Sequence, residues 1–149
     1  MINTNIGESL HRLLHAYKRA MRRGHQQVGL NLAVSHIRSL KVINHYQKEK
    51  RENCTAQIIA ARLQRDKAQI TRVIKDLLAE NLIEKHQHPE DRRSQILRLT
   101  DKGVETMKRI KEAERLAGIC MAQGLKPDEV TEFMRLAEVM TDNLSPKTD

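Results

Sequence analysis

The chain has 149 residues, a length that corresponds to one domain with room for a substantial core. Its 27 Lys and Arg against 19 Asp and Glu give a formal net charge of +8, which favours a polyanionic partner. The charge is unevenly distributed. Residues 1–54 hold ten basic and three acidic residues, and residues 55–98 hold nine basic and six acidic residues. Residues 99–149 hold eight basic and ten acidic residues. The basic excess therefore lies in the N-terminal half and the middle of the chain.

Composition also argues against several classes of protein. The aromatic residues are Tyr17, Tyr46 and Phe133 alone, whereas proteins that bind single strands or RNA usually stack bases on aromatic side chains. The N-terminus is polar, no apolar run is long enough to span a bilayer, and no basic helix carries the Trp or Phe anchors of a membrane-surface helix. We therefore expect a cytoplasmic protein that binds double-stranded nucleic acid and has no membrane partner.

The first third of the chain is predicted to be helical. Apolar residues at helical spacing from Ile6 to Met21 predict a first helix of about five turns that ends near Gly24. Asn31 is expected to cap a second helix, whose apolar side comprises Ala33, Val34, Ile37, Leu40, Val42 and Ile43. The charged segment 47–53 is interpreted as a linker that is either a solvated loop or a phosphate contact beside the motif that follows.

Residues 55–79 show the pattern of a helix-turn-helix. Thr55 is a suitable N-cap for a short helix with a small apolar face. The segment 64–66 then interrupts the apolar pattern, and Asp66 can cap a second helix. The apolar stripe of that helix recurs at three- and four-residue steps: Ile70, Val73, Ile74, Leu77 and Leu78. Two helices joined by so short a turn, the second amphipathic, form the helix-turn-helix motif.

The other face of this second helix carries side chains suited to DNA, namely Lys67, Gln69, Thr71, Arg72 and Lys75. Lys and Arg bind phosphates and guanine, Gln can pair with adenine through two hydrogen bonds, and Thr offers a hydroxyl or a methyl group. Taken alone, this face is equally consistent with an ordinary solvated helix surface.

A hairpin is predicted directly after this helix. Residues 82–86 and 95–99 are short runs rich in branched residues, as strands require. The loop between them, residues 87–94, contains the turn-forming Pro89 and two adjacent arginines, Arg92 and Arg93. A hairpin in this position is a wing, and a wing arginine fits a narrow, electronegative minor groove.

Two further helices are predicted after the hairpin. Thr100 is placed to cap a long helix whose apolar side comprises Val104, Met107, Ile110, Ala113, Leu116, Ala117 and Cys120. Gly124 and Pro127 then break the pattern, and Pro127 suits the first turn of a last helix. That helix carries Val130, Phe133, Met134, Ala137 and Met140. The apolar stripes at both ends of the chain can pack on its own core or on a second copy.

The central motifs resemble those of the MarR (multiple antibiotic resistance regulator) family of winged-helix transcription factors. The resemblance is carried by residues 89–94 (PEDRRS) and 99–103 (LTDKG), and by the helical runs 59–63, 70–72 and 77–83. Asn81 stands where that family usually has glycine. The resemblance implies a mainly α-helical single domain, 1–149, with a small β-hairpin wing. Residues 31–100 would form the DNA-binding lobe, and residues 1–30 and 101–149 would form helices that intertwine into a homodimer.

The same resemblance implies a role for each candidate residue. Lys67, Gln69, Thr71 and Arg72 would face the major groove, and Lys75 would contact phosphate. Asp91 would steady the wing by pairing with an arginine. Arg93, and after it Arg92, would enter the minor groove. In that family a small anionic or phenolic ligand often binds between the dimerisation helices and the DNA-binding lobe, which changes the spacing of the recognition helices.

Cysteines and histidines form no assignable metal or catalytic site in the sequence. Cys54 and Cys120 are too few and too far apart for a zinc motif. Basic neighbours can lower the pKa of Cys54, which leaves a redox role open, and Cys120 is expected to be a small core residue. His11 and His15 share a helix face without a third ligand.

His86 and His88, which flank the wing, are expected to meet solvent or phosphate. The sequence contains no phosphate-binding Gly-rich loop and no recognised catalytic triad or dyad motif. We therefore expect neither an enzyme nor a cofactor.

These observations together predict a sequence-specific regulator of transcription. A two-fold homodimer would bind a pseudo-palindromic operator in double-stranded DNA, because the two half-sites then match the two recognition helices. We expect a repressor of its own or a neighbouring promoter, released by a small-molecule effector. A sequence-tolerant architectural DNA-binding protein is the alternative, as is a redox or metal sensor on the same scaffold.

Overall fold

The computed structural model describes residues 5–146, which form helices and one antiparallel hairpin. The elements in chain order are α1 (Ile6–Gln27), α2 (Val34–Asn44), a π-helical turn (His45–Lys50), α3 (Ala56–Leu63), α4 (Lys67–Ala79), β1 (Ile83–Gln87), β2 (Gln95–Leu99), α5 (Asp101–Met121) and α6 (Pro127–Leu144). The predicted mainly α-helical fold with a small hairpin wing is confirmed.

Three predicted helix starts are confirmed by their side-chain caps. Thr55, Asp66 and Thr100 each have extended backbone and accept a hydrogen bond from the backbone N–H three residues later, at 3.4, 2.8 and 3.0 Å. Each cap satisfies one of the N–H groups that have no partner within the helix. Pro127 occupies the first turn of α6, as predicted.

The helix boundaries before residue 45 differ from the prediction. α1 does not end near Gly24 but continues to Gln27. A Cβ atom at Gly24 would lie 3.5 Å from the Ala113 side chain of α5, so α1 and α5 approach closely there and their packing supports the glycine within the helix. The N-cap of α2 is Ala33 rather than Asn31, because Gly29, at φ +74°, and the buried Leu30 direct the chain into an extended segment first.

The predicted solvated linker at residues 47–53 is also partly wrong. Residues 45–50 continue from α2 as a π-helical turn, and Tyr46 within it is buried. The Oε1 atom of Gln47 accepts a hydrogen bond from the backbone N–H of Leu99 at 2.9 Å. Arg51, in the left-handed conformation at φ 52°, ends the turn. This contact with β2 explains why the segment is ordered despite its charge.

The main core lies between the helix-turn-helix, the hairpin and the first half of α5. Its completely buried side chains come from α2, α3, α4 and α5: Leu40, Ile43, Ile59, Leu77 and Ile110. The predicted apolar stripe of α4 faces this core, since Ile70, Val73, Ile74 and Leu77 are all buried. The lobe that carries the candidate site therefore has a core of its own.

The hairpin is tied to the rest of the lobe by backbone hydrogen bonds. Its antiparallel register runs from Ile83 opposite Leu99 to Gln87 opposite Gln95. On the free side of β2, the N–H of Leu97 donates to the carbonyl of Cys54 at 2.8 Å. The segment before α3 therefore contributes a third, strand-like contact to the base of the wing.

The helices at the two ends of the chain bury far fewer side chains than the lobe does. A small second cluster joins α1 to α5 through Met21, Ala113 and Ala117. α6 buries none of its residues. Most of its predicted apolar stripe is exposed, with Met134 at 65% and Phe133 at 50%, and Val130 and Ala137 are half-buried. Cys120 is likewise exposed and is not the core residue that was expected, because the second half of α5 has no neighbour covering this face.

The N-terminus of α5 contacts the turn between α4 and β1 directly. Asn81 takes the left-handed conformation there, at φ 57°. The Thr100 hydroxyl donates to the Asn81 carbonyl at 2.6 Å, and the Lys102 ammonium donates to the Glu80 carbonyl at 2.8 Å. A Cβ atom built on Gly103 would lie 2.0 Å from the carbonyl oxygen of Leu82. Only glycine fits at this position without moving backbone.

We therefore predict that Gly103→Ala destabilises the protein, because its methyl group would collide with the backbone of the turn. The expected loss is about 2 to 3 kcal/mol of unfolding free energy, the upper range for an overpacked site. Chemical denaturation followed by circular dichroism measures it.

The matched control for this prediction is Gly118→Ala, in the same helix, where an added Cβ meets nothing within 4 Å. That variant should be neutral or more stable, because alanine has the higher helix propensity. Equal stability of the two variants would contradict the predicted backbone collision.

Candidate nucleic-acid interface

All five predicted contact residues of α4 are exposed on one lobe of the molecule: Lys67, Gln69, Thr71, Arg72 and Lys75. They lie outside the face formed by Ile70, Val73, Ile74 and Leu77, which is buried. Successive residues of a helix are rotated by about 100°. Arg72 and Lys75 consequently lie nearly opposite the buried stripe, whereas Lys67 and Gln69 lie on its two flanks.

The same geometry adds a residue that sequence reasoning missed. Ala68 is exposed and lies on the outward line of α4 with Arg72 and Lys75. An alanine methyl group can contact the methyl group of thymine. Alanine has no hydrogen-bonding side chain, so its chemical type does not mark it as a contact residue. Its position opposite the apolar stripe is the feature that identifies it.

Two polar groups of α4 are engaged within the protein. The Thr71 hydroxyl donates to the Lys67 carbonyl at 2.8 Å, so its proton is used within the helix. The Asp76 carboxylate is 3.0 Å from Nε2 of His36 on α2. This contact holds the acidic residue of α4 against α2 and ties the two helices together.

The turn between α3 and α4 is short and tightly bonded. Gln64 ends α3 in the left-handed conformation, at φ 51°. The next N–H, that of Arg65, donates to the Ala60 carbonyl at 3.0 Å. This closed helix end, followed at once by the Asp66 cap, fixes the angle at which α4 leaves α3.

Asp91 organises the loop of the wing, but by hydrogen bonds other than the predicted pairing with an arginine side chain. Its Oδ1 accepts from the backbone N–H of Arg93 at 2.9 Å, and its Oδ2 accepts from the Ser94 hydroxyl at 3.3 Å. A short acidic side chain commonly bonds the backbone two residues on in this way. Arg92 and Arg93 are exposed beside it.

The two wing histidines also contact protein groups, although His86 is exposed to solvent, as expected, and His88 is half-buried. Nε2 of His86 is 3.0 Å from the Glu84 carboxylate on the same strand. Nδ1 of His88 accepts hydrogen bonds from the backbone N–H groups of Glu90 and Asp91, at 3.1 and 3.2 Å. Sequence reasoning had no means to detect this acceptor, because it depends on the folded shape of the loop.

A shallow cleft lies between the π-helical turn and the wing. It has a volume of about 220 Å³ and is lined by Gln47, Arg51, Glu52, Asn53, Ile96, Leu97 and Arg98. The exposed Arg51 and Arg98 side chains bring two positive charges to the base of the wing. The carboxylate of Glu52 also lines this cleft, so its charge is mixed.

A polar junction connects the lobe to the end helices. The Lys41 ammonium of α2 donates to the Glu114 carboxylate of α5 at 2.6 Å. His25 of α1 lies close to Glu114, and its Nε2 is buried without a hydrogen-bond partner among residues 5–146. Burial lowers the pKa of His25, an effect that the Glu114 carboxylate opposes. Polar groups from three helices therefore meet here.

Cys54 is not activated by its basic neighbours, contrary to the redox interpretation. Its side chain is buried beneath the wing, and burial raises the pKa of the thiol to about 12. Residues 5–146 contain no group of three or more His, Cys, Asp or Glu side chains placed to hold a metal ion. Nor does any helix of this region qualify as a membrane span.

The helix-turn-helix with its adjoining hairpin defines a winged helix-turn-helix protein. Residues 49–95 match the model of the MarR family. The resemblance to the MarR family seen in the sequence is confirmed for this segment, and the fold is that of solved MarR-type winged-helix structures.

Similar proteins agree with this assignment. The HTH-type transcriptional regulator BilQ of Clostridioides difficile (strain CD3) is 42% identical over 62 residues, which cover 42% of this chain and 42% of that protein. The chain thus matches less than half the length of this curated relative.

Three solved structures share the fold. An S. aureus MepR–DNA complex has a TM-score of 0.77 at 16% identity, covering 93% of this chain and 98% of that one. PcaV of Streptomyces coelicolor, in complex with its natural ligand, has a TM-score of 0.74 at 20% identity, and the match covers 97% of each chain. A mutant MarR from E. coli has a TM-score of 0.72 at 17% identity, and the match covers 91% of this chain and 96% of that one.

The burial of Cys54 leads to a prediction about thiol reactivity. The thiolate is the reactive form, and at pH 8 a thiol with so high a pKa is almost entirely protonated. In a Cys120→Ser variant, we expect Cys54 to react with a thiol reagent at least about a hundredfold more slowly in native protein than in denaturant. A Cys54→Ala variant provides the comparison, since its exposed Cys120 should react at once. Rapid native labelling of Cys54 would contradict the assignment.

Proposed function

We propose that this protein is a transcriptional regulator that binds double-stranded DNA and represses its own or a neighbouring promoter. One observation carries the proposal: a helix-turn-helix lobe with its own core exposes both a cationic face of α4 and a wing with two arginines. The MarR-type assignment of the same residues supports it. A relative with this motif carries the name of a transcriptional regulator, and a neighbour in structure was solved with DNA.

The exposed residues of the lobe divide into three roles. We assign Lys67, Gln69, Thr71 and Arg72 to the major groove, where cationic and amide side chains read base edges. Lys75, which lies farther along α4, contacts phosphate. Arg93 enters the minor groove with Arg92 beside it, because both are exposed at the end of a hairpin. These contacts belong to the lobe 31–100 of a single domain, 1–149.

The end helices supply the dimer in this proposal. α1 exposes Ile6, Leu10, Leu13 and Leu14, α5 exposes Leu116 and Ile119, and α6 exposes Phe133, Met134, Val139 and Met140. Removing apolar area of this extent from water stabilises an interface. A second copy of the chain is the partner we propose. A two-fold dimer presents two α4 helices to the half-sites of a pseudo-palindromic operator.

Release by a small molecule is assigned to the polar junction of α1, α2 and α5. The Lys41–Glu114 ion pair joins the lobe to α5, and His25 has a buried nitrogen beside it. An anionic or phenolic ligand that pairs with Lys41 would compete with Glu114 and shift the lobe relative to α5. A relative in structure was solved with its natural ligand. A screen of such compounds for loss of DNA binding tests this part of the proposal.

Binding to the upstream promoter DNA, compared with scrambled duplex at fixed near-physiological salt, tests the function itself. A dimer that prefers the promoter by a thousandfold or more, about the lower bound for specific regulators, supports a regulator. Similar affinity for both duplexes supports a sequence-tolerant architectural protein instead. Absence of binding to either duplex would overturn the proposal.

For the wing, we predict that Arg93→Ala weakens promoter binding at least about tenfold, or about 1.4 kcal/mol, because each subunit of the dimer loses one minor-groove cation. The dependence of affinity on salt should also become less steep by about two charges, one from each subunit. Fluorescence anisotropy across a series of salt concentrations measures both quantities.

Arg109→Ala is the matched control, because Arg109 is an exposed arginine on α5, outside the lobe. It removes the same charge and should leave both quantities unchanged. An equal loss for the two variants would show that net charge, and not the wing, determines the affinity.

For the dimer, we predict that Met134→Glu converts the protein to monomers, because an unpaired carboxylate would be buried in the interface. Light scattering after size exclusion should change from twice 17.2 kDa to a single 17.2 kDa chain. Thr131→Glu, on the polar side of α6, adds the same charge and should remain dimeric. A wild-type protein that is monomeric at micromolar concentration would refute the second-copy assignment.

A further inference from the structure

The wing loop is closed around the ring of His88. Nδ1 of this half-buried side chain accepts two hydrogen bonds, from the backbone N–H groups of Glu90 and Asp91 at 3.1 and 3.2 Å. The backbone N–H of His88 donates across the loop to the Ser94 carbonyl at 3.3 Å. One side chain therefore holds the first half of the loop, and Asp91 holds the second half.

This arrangement requires a neutral imidazole. A ring nitrogen accepts a hydrogen bond only while it carries no proton, and both ring nitrogens of a protonated histidine are donors. Protonation at Nδ1 would set an N–H against two backbone N–H groups. Both hydrogen bonds would then be lost, and the first half of the loop would have to rearrange.

We propose that neutral His88 is a positioning residue for the wing, and that its protonation releases the loop that presents Arg92 and Arg93. The inference rests on the proposed DNA-binding function, because it makes the contribution of the wing to affinity depend on pH. Histidine is the side chain whose unperturbed charge changes between about pH 5 and pH 8. The contact requires the unprotonated ring and is absent once Nδ1 carries a proton.

The charged groups near His88 do not provide a ready alternative to this contact. The Asp91 carboxylate already accepts from the Arg93 backbone and the Ser94 hydroxyl. On β1, the Glu84 carboxylate is engaged by His86. Glu90 and the two exposed arginines complete the charges of the loop. A protonated His88 that turned towards Glu90 would have to leave both backbone N–H groups, so the loop would still be released.

The test uses an asparagine in place of the histidine. The amide oxygen of His88→Asn can accept from the same two backbone N–H groups, as asparagine does in turns, and it does not titrate. His88→Ala removes the acceptor at every pH. His86→Asn is the control for removing a wing histidine that bonds a carboxylate instead of the loop backbone. All variants are full-length chains with the substitution in an exposed hairpin.

The first measurement is promoter affinity between pH 8 and pH 5.5 at constant salt. Added positive charge at low pH favours DNA in every variant, and a protonated His88 adds one charge that asparagine cannot. A loss of affinity in wild type relative to His88→Asn therefore opposes the effect of charge and reports the release of the loop. Relative to His88→Asn, wild type and His86→Asn should lose about tenfold in affinity as the pH falls, or about 1.4 kcal/mol. His88→Ala should already bind weakly at pH 8. Identical pH profiles for wild type and His88→Asn would overturn the proposal.

The second measurement does not depend on DNA. In ¹H–¹⁵N spectra of the free protein, the amide signals of Glu90 and Asp91 should move together with the titration of the His88 ring. In His88→Asn they should stay in place. Stationary amides in wild type would overturn the proposal even if DNA binding varied with pH. Titrating amides without DNA binding by any variant would refute the proposed function, while leaving the role of His88 in the loop intact.

Discussion

The close contact between the first turn of α5 and the turn at residues 80–82 is the constraint on which the candidate site depends. α4 ends at this turn and β1 begins from it, while β2 leads directly into α5. With Gly103 against the Leu82 carbonyl and Thr100 bonded to Asn81, α4, the hairpin and the long helix α5 leave one point in fixed directions. A change in the direction of α5 would therefore move α4 and the wing together, which is the coupling that the proposed release by a ligand requires.

The features that were predicted correctly from the sequence depend on residues that are close to one another in the chain. The caps at Thr55, Asp66 and Thr100 bond groups three residues away, and the stripe of α4 repeats within one helix. The errors involve contacts between distant segments. The π-helical turn depends on a hydrogen bond from Leu99 to Gln47, 52 residues apart, and the pKa of the Cys54 thiol is raised because the folded protein buries it. The basic neighbours of Cys54 could be read from the sequence, but its burial could not.

The apolar stripes of α1 and α6 illustrate a different limit. Helical periodicity shows that one face of a helix avoids water, but it does not identify what covers that face. In the folded chain α6 buries none of its residues, whereas α4, with a similar pattern, buries Ile70, Val73, Ile74 and Leu77 of its stripe. An interface between copies and a core within one copy obey the same physics of apolar burial. Only the three-dimensional arrangement separates them.

The hydrogen bonding of the wing bears directly on how its arginines can work. Had Asp91 paired with an arginine side chain, as the resemblance implied, DNA would have had to replace that ion pair before the guanidinium could enter a groove. Asp91 instead accepts from the backbone N–H of Arg93, and His88 accepts from two other backbone groups. Among residues 5–146, neither Arg92 nor Arg93 forms an ion pair. The loop is thus shaped through its main chain, and the arginine charges remain available to a polyanion.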